Sequence, residues 1–201
     1  MRWIRTLALL LVAAALAGCA SVRHIDADVL SWSTAPADMK LQGARYRFER
    51  LPSQASNPEA GLAEQHAQSA LTLAGLVRDD ANAQISVLVG VRASEYMLDP
   101  WGRPVPPAWA PYGSIYWGRG LYPHWGVGLN MRLPPPTYYR REVSLLMRDL
   151  RTGQVVYETR AAHDGPWSDD QNLLPTLFRA ALAGFPTPPA GSRKVIIDIP
   201  R

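Results

Sequence analysis

VSLLMRDLRTGQVVY, residues 143–157, decides the fold class. Val143, Leu145 and Met147 alternate with other side chains and, with Leu150, lead into Asp149-Leu150-Arg151-Thr152-Gly153-Gln154, after which Val155-Val156-Tyr157 resumes the apolar pattern. Two apolar-patterned runs joined by a glycine-bearing turn predict a β-hairpin. Downstream, Leu173, Leu174, Leu177, Phe178, Ala181 and Leu182 recur at helical spacing, which predicts a helix from about Asp170 to Gly184 with Pro175 tolerated in its first turns. After Phe185-Pro186 and a proline-rich link, Val195 to Pro200 reads as a last short strand.

Upstream the same elements occur in a matching order. Val22, Ile25, Val29, Leu30 and Trp32 are strand material interrupted by Asp26 and Asp28, and Ala44 to Leu51 alternates apolar and charged residues until Pro52 ends it. Ser56-Asn57-Pro58-Glu59 marks a helix start, with a polar cap, a proline in the first turn and an acid near the positive end of the helix dipole. Ala63, Ala67, Ala70, Ala74 and Val77, widened by Leu73 and Leu76, then predict one amphipathic helix of about 20 residues, its small side chains suited to lying flat on a sheet. Asp79-Asp80-Ala81-Asn82 breaks the pattern, and Ile85, Val87, Val89 and Val91 alternate as a strand. The order β-β-α-β, insertion, β-β-α-β predicts an α+β fold: one mainly antiparallel sheet with two helices packed on one face.

The amino terminus carries a different signal. Arg2 and Arg5 precede the uncharged run Leu7 to Ala17, too short for a helix crossing a hydrocarbon core, which takes roughly 20 residues. Leu16-Ala17-Gly18-Cys19 resembles the lipobox of bacterial lipoprotein precursors, in which the cysteine receives a diacylglycerol, the preceding peptide is removed and the new amino group is acylated. Cys19 is the only cysteine, so a disulfide within the chain is excluded. The implied organisation is a signal peptide over 1–18, a lipidated tether over 19–23 and one α+β domain over 24–201. The covalent lipid on Cys19 would be the only added group, with no further cofactor. Ala20 and Ser21 lack the aspartate that retains many such lipoproteins in the inner membrane, so the implied address is the outer membrane, facing the periplasm.

The chain has 21 basic and 17 acidic residues; loss of Arg2 and Arg5 leaves 19 against 17, a net +2. The basic residues are scattered, which argues against a nucleic-acid partner.

An exported cysteine start, an early Tyr46-Arg47-Phe48 strand, a helix, Ala-x-Ile-x-Val-x-Val at 83–89, Leu-x-x-Arg-Asp-Leu-Arg-Thr-Gly-Gln-Val-Val-Tyr at 145–157 and a closing helix ending in Phe-Pro occur in that order. This arrangement resembles the bacterial lipoprotein family called domain of unknown function 4136, over about residues 24–186. Members usually carry a shorter middle and a tryptophan where this chain has Tyr157. The resemblance implies no activity.

Residues 94–139 form that longer middle. Nine of the 18 prolines lie between Pro100 and Pro136, with six glycines, a composition that predicts neither helix nor central strand. Trp101, Trp109, Trp117 and Trp125 follow one another at intervals of eight residues, three of them as Trp-Gly, among Tyr112, Tyr116, Tyr122, Tyr138 and Tyr139. The indoles could cover an open sheet face, form an exposed platform for an envelope protein, glycan or lipid headgroup, or belong to a disordered segment.

Chemistry is sparse. His24, His66, His124 and His163 lie in different segments, none at metal-ligand spacing, so no metal site is expected. His163-Asp164-Gly165-Pro166-Trp167-Ser168-Asp169-Asp170 is the densest polar cluster, but no Gly-x-Ser-x-Gly elbow accompanies it. The simpler reading is a turn in which Ser168 or Asp169 caps the next helix. No catalytic residue is assigned. The expected function is a non-catalytic, lipid-anchored envelope protein that binds a partner or supports envelope integrity. The alternatives are a periplasmic hydrolase built on the His163 to Asp170 cluster and a cell-wall glycan binder acting through the tryptophans.

Overall fold

The structure, a computed structural model, describes residues 22–98, 103–105 and 137–200. Cys19 and the four tryptophans Trp101, Trp109, Trp117 and Trp125 lie outside the described residues. The strands are β1 (Val22–Ser33), β2 (Arg45–Glu49), β3 (Val77–Arg78), β4 (Ile85–Leu98), β5 (Pro104–Val105), β6 (Thr137–Asp149), β7 (Val155–Gly165) and β8 (Arg193–Pro200). The helices are α1 (Pro52–Ala55), α2 (Pro58–Leu73) and α3 (Asp170–Ala181). The strands form one sheet in the order β3-β2-β4-β6-β7-β1-β8, with β5 paired to β4.

The fold is α+β, as the element order predicts. β1 runs antiparallel to both β7 and β8, whereas β2 runs parallel to β3 and β4. The parallel pairing follows from the chain path: α1 and α2 lie between β2 and β4, and a crossover of that length returns the strand in the same direction. The 143–157 stretch forms the β6–β7 hairpin, where Gly153 supplies the left-handed residue (φ 73°) of the turn.

The contacts divide the chain into two compact units: Met1–Arg92 with Glu142–His163 and Asp169–Arg201, and Ala93–Arg141 with Asp164–Ser168. The first holds the core. Strand alternation turns Ile25 and Val29 of β1, Leu145 and Met147 of β6 and Tyr157 and Ala161 of β7 inward, all essentially inaccessible. α2 and α3 pack against each other, and α3 also contacts β1 and β8, so both helices join one core.

β1 is continuous where the sequence suggested an interruption. Asp26 and Asp28 fall on its outward face, and Lys194 of β8 bridges them, with Nζ 3.1 Å from Asp28 and 3.6 Å from Asp26. Asn57 caps α2 by accepting from the Glu59 amide at 2.9 Å. The helix is 16 residues long, shorter than the alanine pattern suggested. Its buried stripe is Ala63, Ala67, Ala70 and Leu71, while Leu73 is 74% exposed. At 100° per residue Leu73 lies about 240° round from Ala67, off the buried stripe. Leu76 is buried beyond the helix end, and Val77 lies half-exposed in β3.

Gly75 ends that helix with φ 90°, a left-handed conformation that a side chain disfavours by roughly 1–2 kcal/mol. An added Cβ would also lie 2.0 Å from Gln42 Nε2, although that flexible side chain can move. Gly75→Ala is therefore expected to lower the unfolding free energy by about 1–2 kcal/mol, read from urea melts. An unchanged midpoint would contradict the left-handed assignment.

The proline-rich middle also differs from expectation at its ends. β4 runs through Leu98 and β6 begins at Thr137, so strand covers 94–98 and 137–139, and β5 pairs with Met97 and Leu98. The prolines begin only at Pro100 and stop at Pro136; the flanking Ala-Ser-Glu-Tyr-Met-Leu and Thr-Tyr-Tyr-Arg-Arg carry none, and suit a pleated sheet.

Candidate functional site

The polar cluster that the sequence gathers at 163–170 spans the end of β7, a short loop and the start of α3. His163 turns inward and is buried, its Nδ1 2.7 Å from the Asp26 carbonyl oxygen and 3.2 Å from the Asp26 carboxylate, while its Nε2 is buried without a hydrogen-bond partner among the described residues. Asp169 serves α3: its side chain accepts from the Asn172 backbone amide at 3.3 Å and from the Asn172 side-chain amide at 2.8 Å. It also lies 3.7 Å from an Arg23 guanidinium nitrogen. Of the two candidate caps, Asp169 is the one used. A nucleophile must hydrogen-bond its base, and the partner of His163 within its own unit is Asp26.

Within the first unit, two open grooves flank the β6–β7 turn. One, of about 720 Å³, is lined by Pro36, Met39, Lys40, Gln84, Leu150 and Arg151 among others. The other, of about 400 Å³, is lined by Arg47, Phe48, Glu49, Ser86, Arg148 and Leu150 among others. Charges of both signs face them. Much of the polarity is already engaged: the Ser86 hydroxyl donates to Glu49, and Asp149 accepts from the Arg151 amide at 2.8 Å and the Thr152 hydroxyl at 3.0 Å. Among the described residues no group of three or more His, Cys, Asp or Glu could hold a metal ion.

These internal bonds make stability pH-dependent. The Asn82 amide holds Asp79, the Arg151 amide holds Asp149 and the Asn172 side chain holds Asp169 below the ordinary 3.8. Near that value the unfolded chain binds more protons, so the stabilisation is complete above it and is lost as pH falls through the lower folded values. Burial pushes Tyr46 from 10.0 up to about 12, so its contribution disappears as pH rises through that interval. The expected melting temperature falls below about pH 4 and above about pH 10. Asp149→Asn with Asp169→Asn should flatten the acid limb; an unaltered acid limb would contradict the assignment.

The second unit is aromatic and cationic. Tyr96 and Tyr138 stack with centroids 5.8 Å apart, the Tyr96 hydroxyl donates to Asp164 at 3.2 Å, and Arg140 donates to the same carboxylate at 2.9 Å. Arg141 lies over the Tyr139 ring at 5.4 Å. Burial, then the Asp164 charge, raises the Tyr96 phenol above its usual value. In sequence these residues flank the tryptophan-bearing segment on both sides. Tyr96 and Arg140 escaped the sequence reading because their link is a cross-strand pairing. The available signal was β-alternation continuing past residue 93 and resuming before 142.

Comparisons with known proteins place the fold but no chemistry. No curated protein matches the chain by sequence. A PDZ domain protein from Parabacteroides distasonis superposes with a TM-score of 0.51 at 11% identity, over 92% of this chain and 41% of that one. PelC from Paraburkholderia phytofirmans, a dodecamer, superposes with a TM-score of 0.45 at 16% identity, over 81% of this chain and 99% of that one. A variant of the same PelC gives 0.46 at 14% identity over the same shares. The model of the family described as domain of unknown function (DUF4136) matches residues 31–187, well over half of the chain and spanning the hairpin, α2 and α3, and this chain belongs to that family.

Proposed function

We propose that this chain is a non-catalytic, lipid-anchored cell-envelope protein, attached through Cys19 to the outer membrane on its periplasmic side, that holds a partner close to the bilayer. The observation that carries this reading is the spacing between the lipobox-like Leu16-Ala17-Gly18-Cys19 and the first strand, which begins at Val22. Three residues beyond Cys19 reach at most about 10 Å. A lipid on Cys19 would therefore keep the sheet beside the headgroups. Two or three acyl chains make such attachment effectively permanent, since each buried methylene contributes about 0.8 kcal/mol and one chain alone binds only marginally.

The partner surface in this reading is the tryptophan series 101, 109, 117 and 125, carried on the Tyr96, Tyr138 and Arg140 stem. Large rigid aromatic side chains with a polar edge suit an envelope protein or a glycan. The test is Cys19→Ser in the producing cell. The wild-type chain is expected in the membrane fraction and the variant in the soluble periplasmic fraction. A variant that stays in the membrane, with its fold unchanged, would overturn the anchor.

A further inference from the structure

The two ends of the sheet are built differently. One closes on β3, only two residues long, a common way to blunt an edge. The other is β8, eight residues with β1 on one side and no described strand on the other. Its middle is Val195-Ile196-Ile197, with Pro200 only at its far end. Val195 and Ile197 pack against the core, while Ile196 points outward and is 68% exposed. Every second residue of such an edge presents an unpaired amide and carbonyl to the outside.

We infer that β8 pairs antiparallel with β8 of a second copy of this chain, about a two-fold axis through Ile196. The outward row of the strand, Lys194, Ile196 and Asp198, is self-complementary in that register. Lys194 stands opposite Asp198 of the partner subunit, Ile196 opposite Ile196 of the partner subunit, and Val195 opposite Ile197 of the partner subunit. On the outward row apolar meets apolar and each charge meets its opposite, as favourable cross-strand pairs require, while on the inner row Arg193 stands opposite Ile199 of the partner subunit. Sliding the register by two residues either way sets Lys194 or Asp198 against Ile196 of the partner subunit and breaks both ion pairs.

The neighbouring strand extends the pattern. Asp28 of β1 lies directly opposite Lys194, and His24 directly opposite Asp198 with its Nδ1 2.6 Å from that carboxylate. Across four strands the outward row would run Asp28, Lys194, then Asp198 and His24 of the partner subunit, each neighbour complementary. Asp26 lies opposite Ile196, and Lys194 bridges it at 3.6 Å, so no lone acid flanks the axis. An isologous contact of this kind closes on itself and gives a dimer without open growth. It uses only the first unit and stands whether or not Cys19 carries lipid.

The experiment uses the full chain with Cys19→Ser, which removes the only native cysteine, and Ile196→Cys added. Across the axis the two Cα atoms would be about 4.5–5.5 Å apart, within disulfide range. Oxidation should convert the band at 22.2 kDa to one near twice that mass on a non-reducing gel. Lys194→Cys in the same background should not cross-link, because the two positions lie about 14 Å apart in this register. Lys194→Cys combined with Asp198→Cys should. Ile196→Lys, at an exposed position, should leave the circular dichroism unchanged and shift sedimentation from dimer to monomer. A monomeric native chain, or Ile196→Cys cross-linking no faster than Lys194→Cys, would overturn the inference.

Discussion

Ala67→Asp is expected to remove a large part of the chain's stability at pH 7. Ala67 lies on the inner stripe of α2 and is fully inaccessible, where α2 joins the common core of sheet and helices. Glu64, one turn earlier, is held by a two-pronged bond from Arg50 at 2.6 and 2.7 Å, and a carboxylate at 67 would have no such provision. A carboxyl forced into apolar surroundings has its pKa raised by as much as 3–5 units. At pH 7 the folded chain avoids the charge by protonating the carboxyl across the roughly three units above its unfolded value of about 3.9, which at 1.36 kcal/mol per unit costs about 4 kcal/mol, against a total stability of about 5–15 kcal/mol for a typical domain. Gln65→Asp, on the exposed face of the same helix, should stay within about 0.5 kcal/mol of the native chain. Circular dichroism and thermal melting read both. A cooperative melt of Ala67→Asp within a few degrees of native would mean that α2 does not pack as described.

Phe178→Ala should cost about 3–5 kcal/mol, the range for deleting a large buried aromatic side chain. Phe178 is inaccessible, as are Leu177 and Ala181, on a helix that packs on α2, β1 and β8. The loss combines transfer of the ring to water with the cavity left behind, which helix and sheet close only in part. Phe178→Leu keeps much of the volume and should lose markedly less. Urea midpoints separate the two; a loss under about 1 kcal/mol for the alanine variant would show that α3 is not docked.

The elements whose side chains repeat were legible in the sequence. β6, β7 and α3 announce themselves by alternation, by Gly153 in the turn and by the Leu173 to Leu182 stripe, and each is found where the pattern puts it. Element boundaries were less visible because a backbone decision sets them. α2 stops where Gly75 turns left-handed, so the alanine and leucine pattern continues past a helix that has ended. Asp26 and Asp28 look like a break in β1 until β8, from the far end of the chain, places Lys194 between them. Strand order and the parallel β2–β4 pairing are properties of the whole chain path, which no local stretch encodes.

The candidate site was legible in a more limited way. Proximity in sequence made His163 to Asp170 look like one cluster, yet His163 holds Asp26, Asp164 holds Tyr96 and Arg140, and Asp169 holds Asn172, partners from distant or different elements. The capping role of Asp169 is local, and could be read beforehand. The Tyr96 and Tyr138 stack joins residues 42 positions apart, and only the pairing of β4 with β6 brings it about.

Lipid attachment at Cys19 is the claim on which the functional account depends, and the intact mass of the chain purified from the producing cell's membranes tests it most directly. The account predicts a chain that begins at Cys19 and is heavier than residues 19–201 by a diacylglycerol and an amide-linked acyl group. A chain that begins elsewhere, or that carries Cys19 as an unmodified thiol, would contradict it.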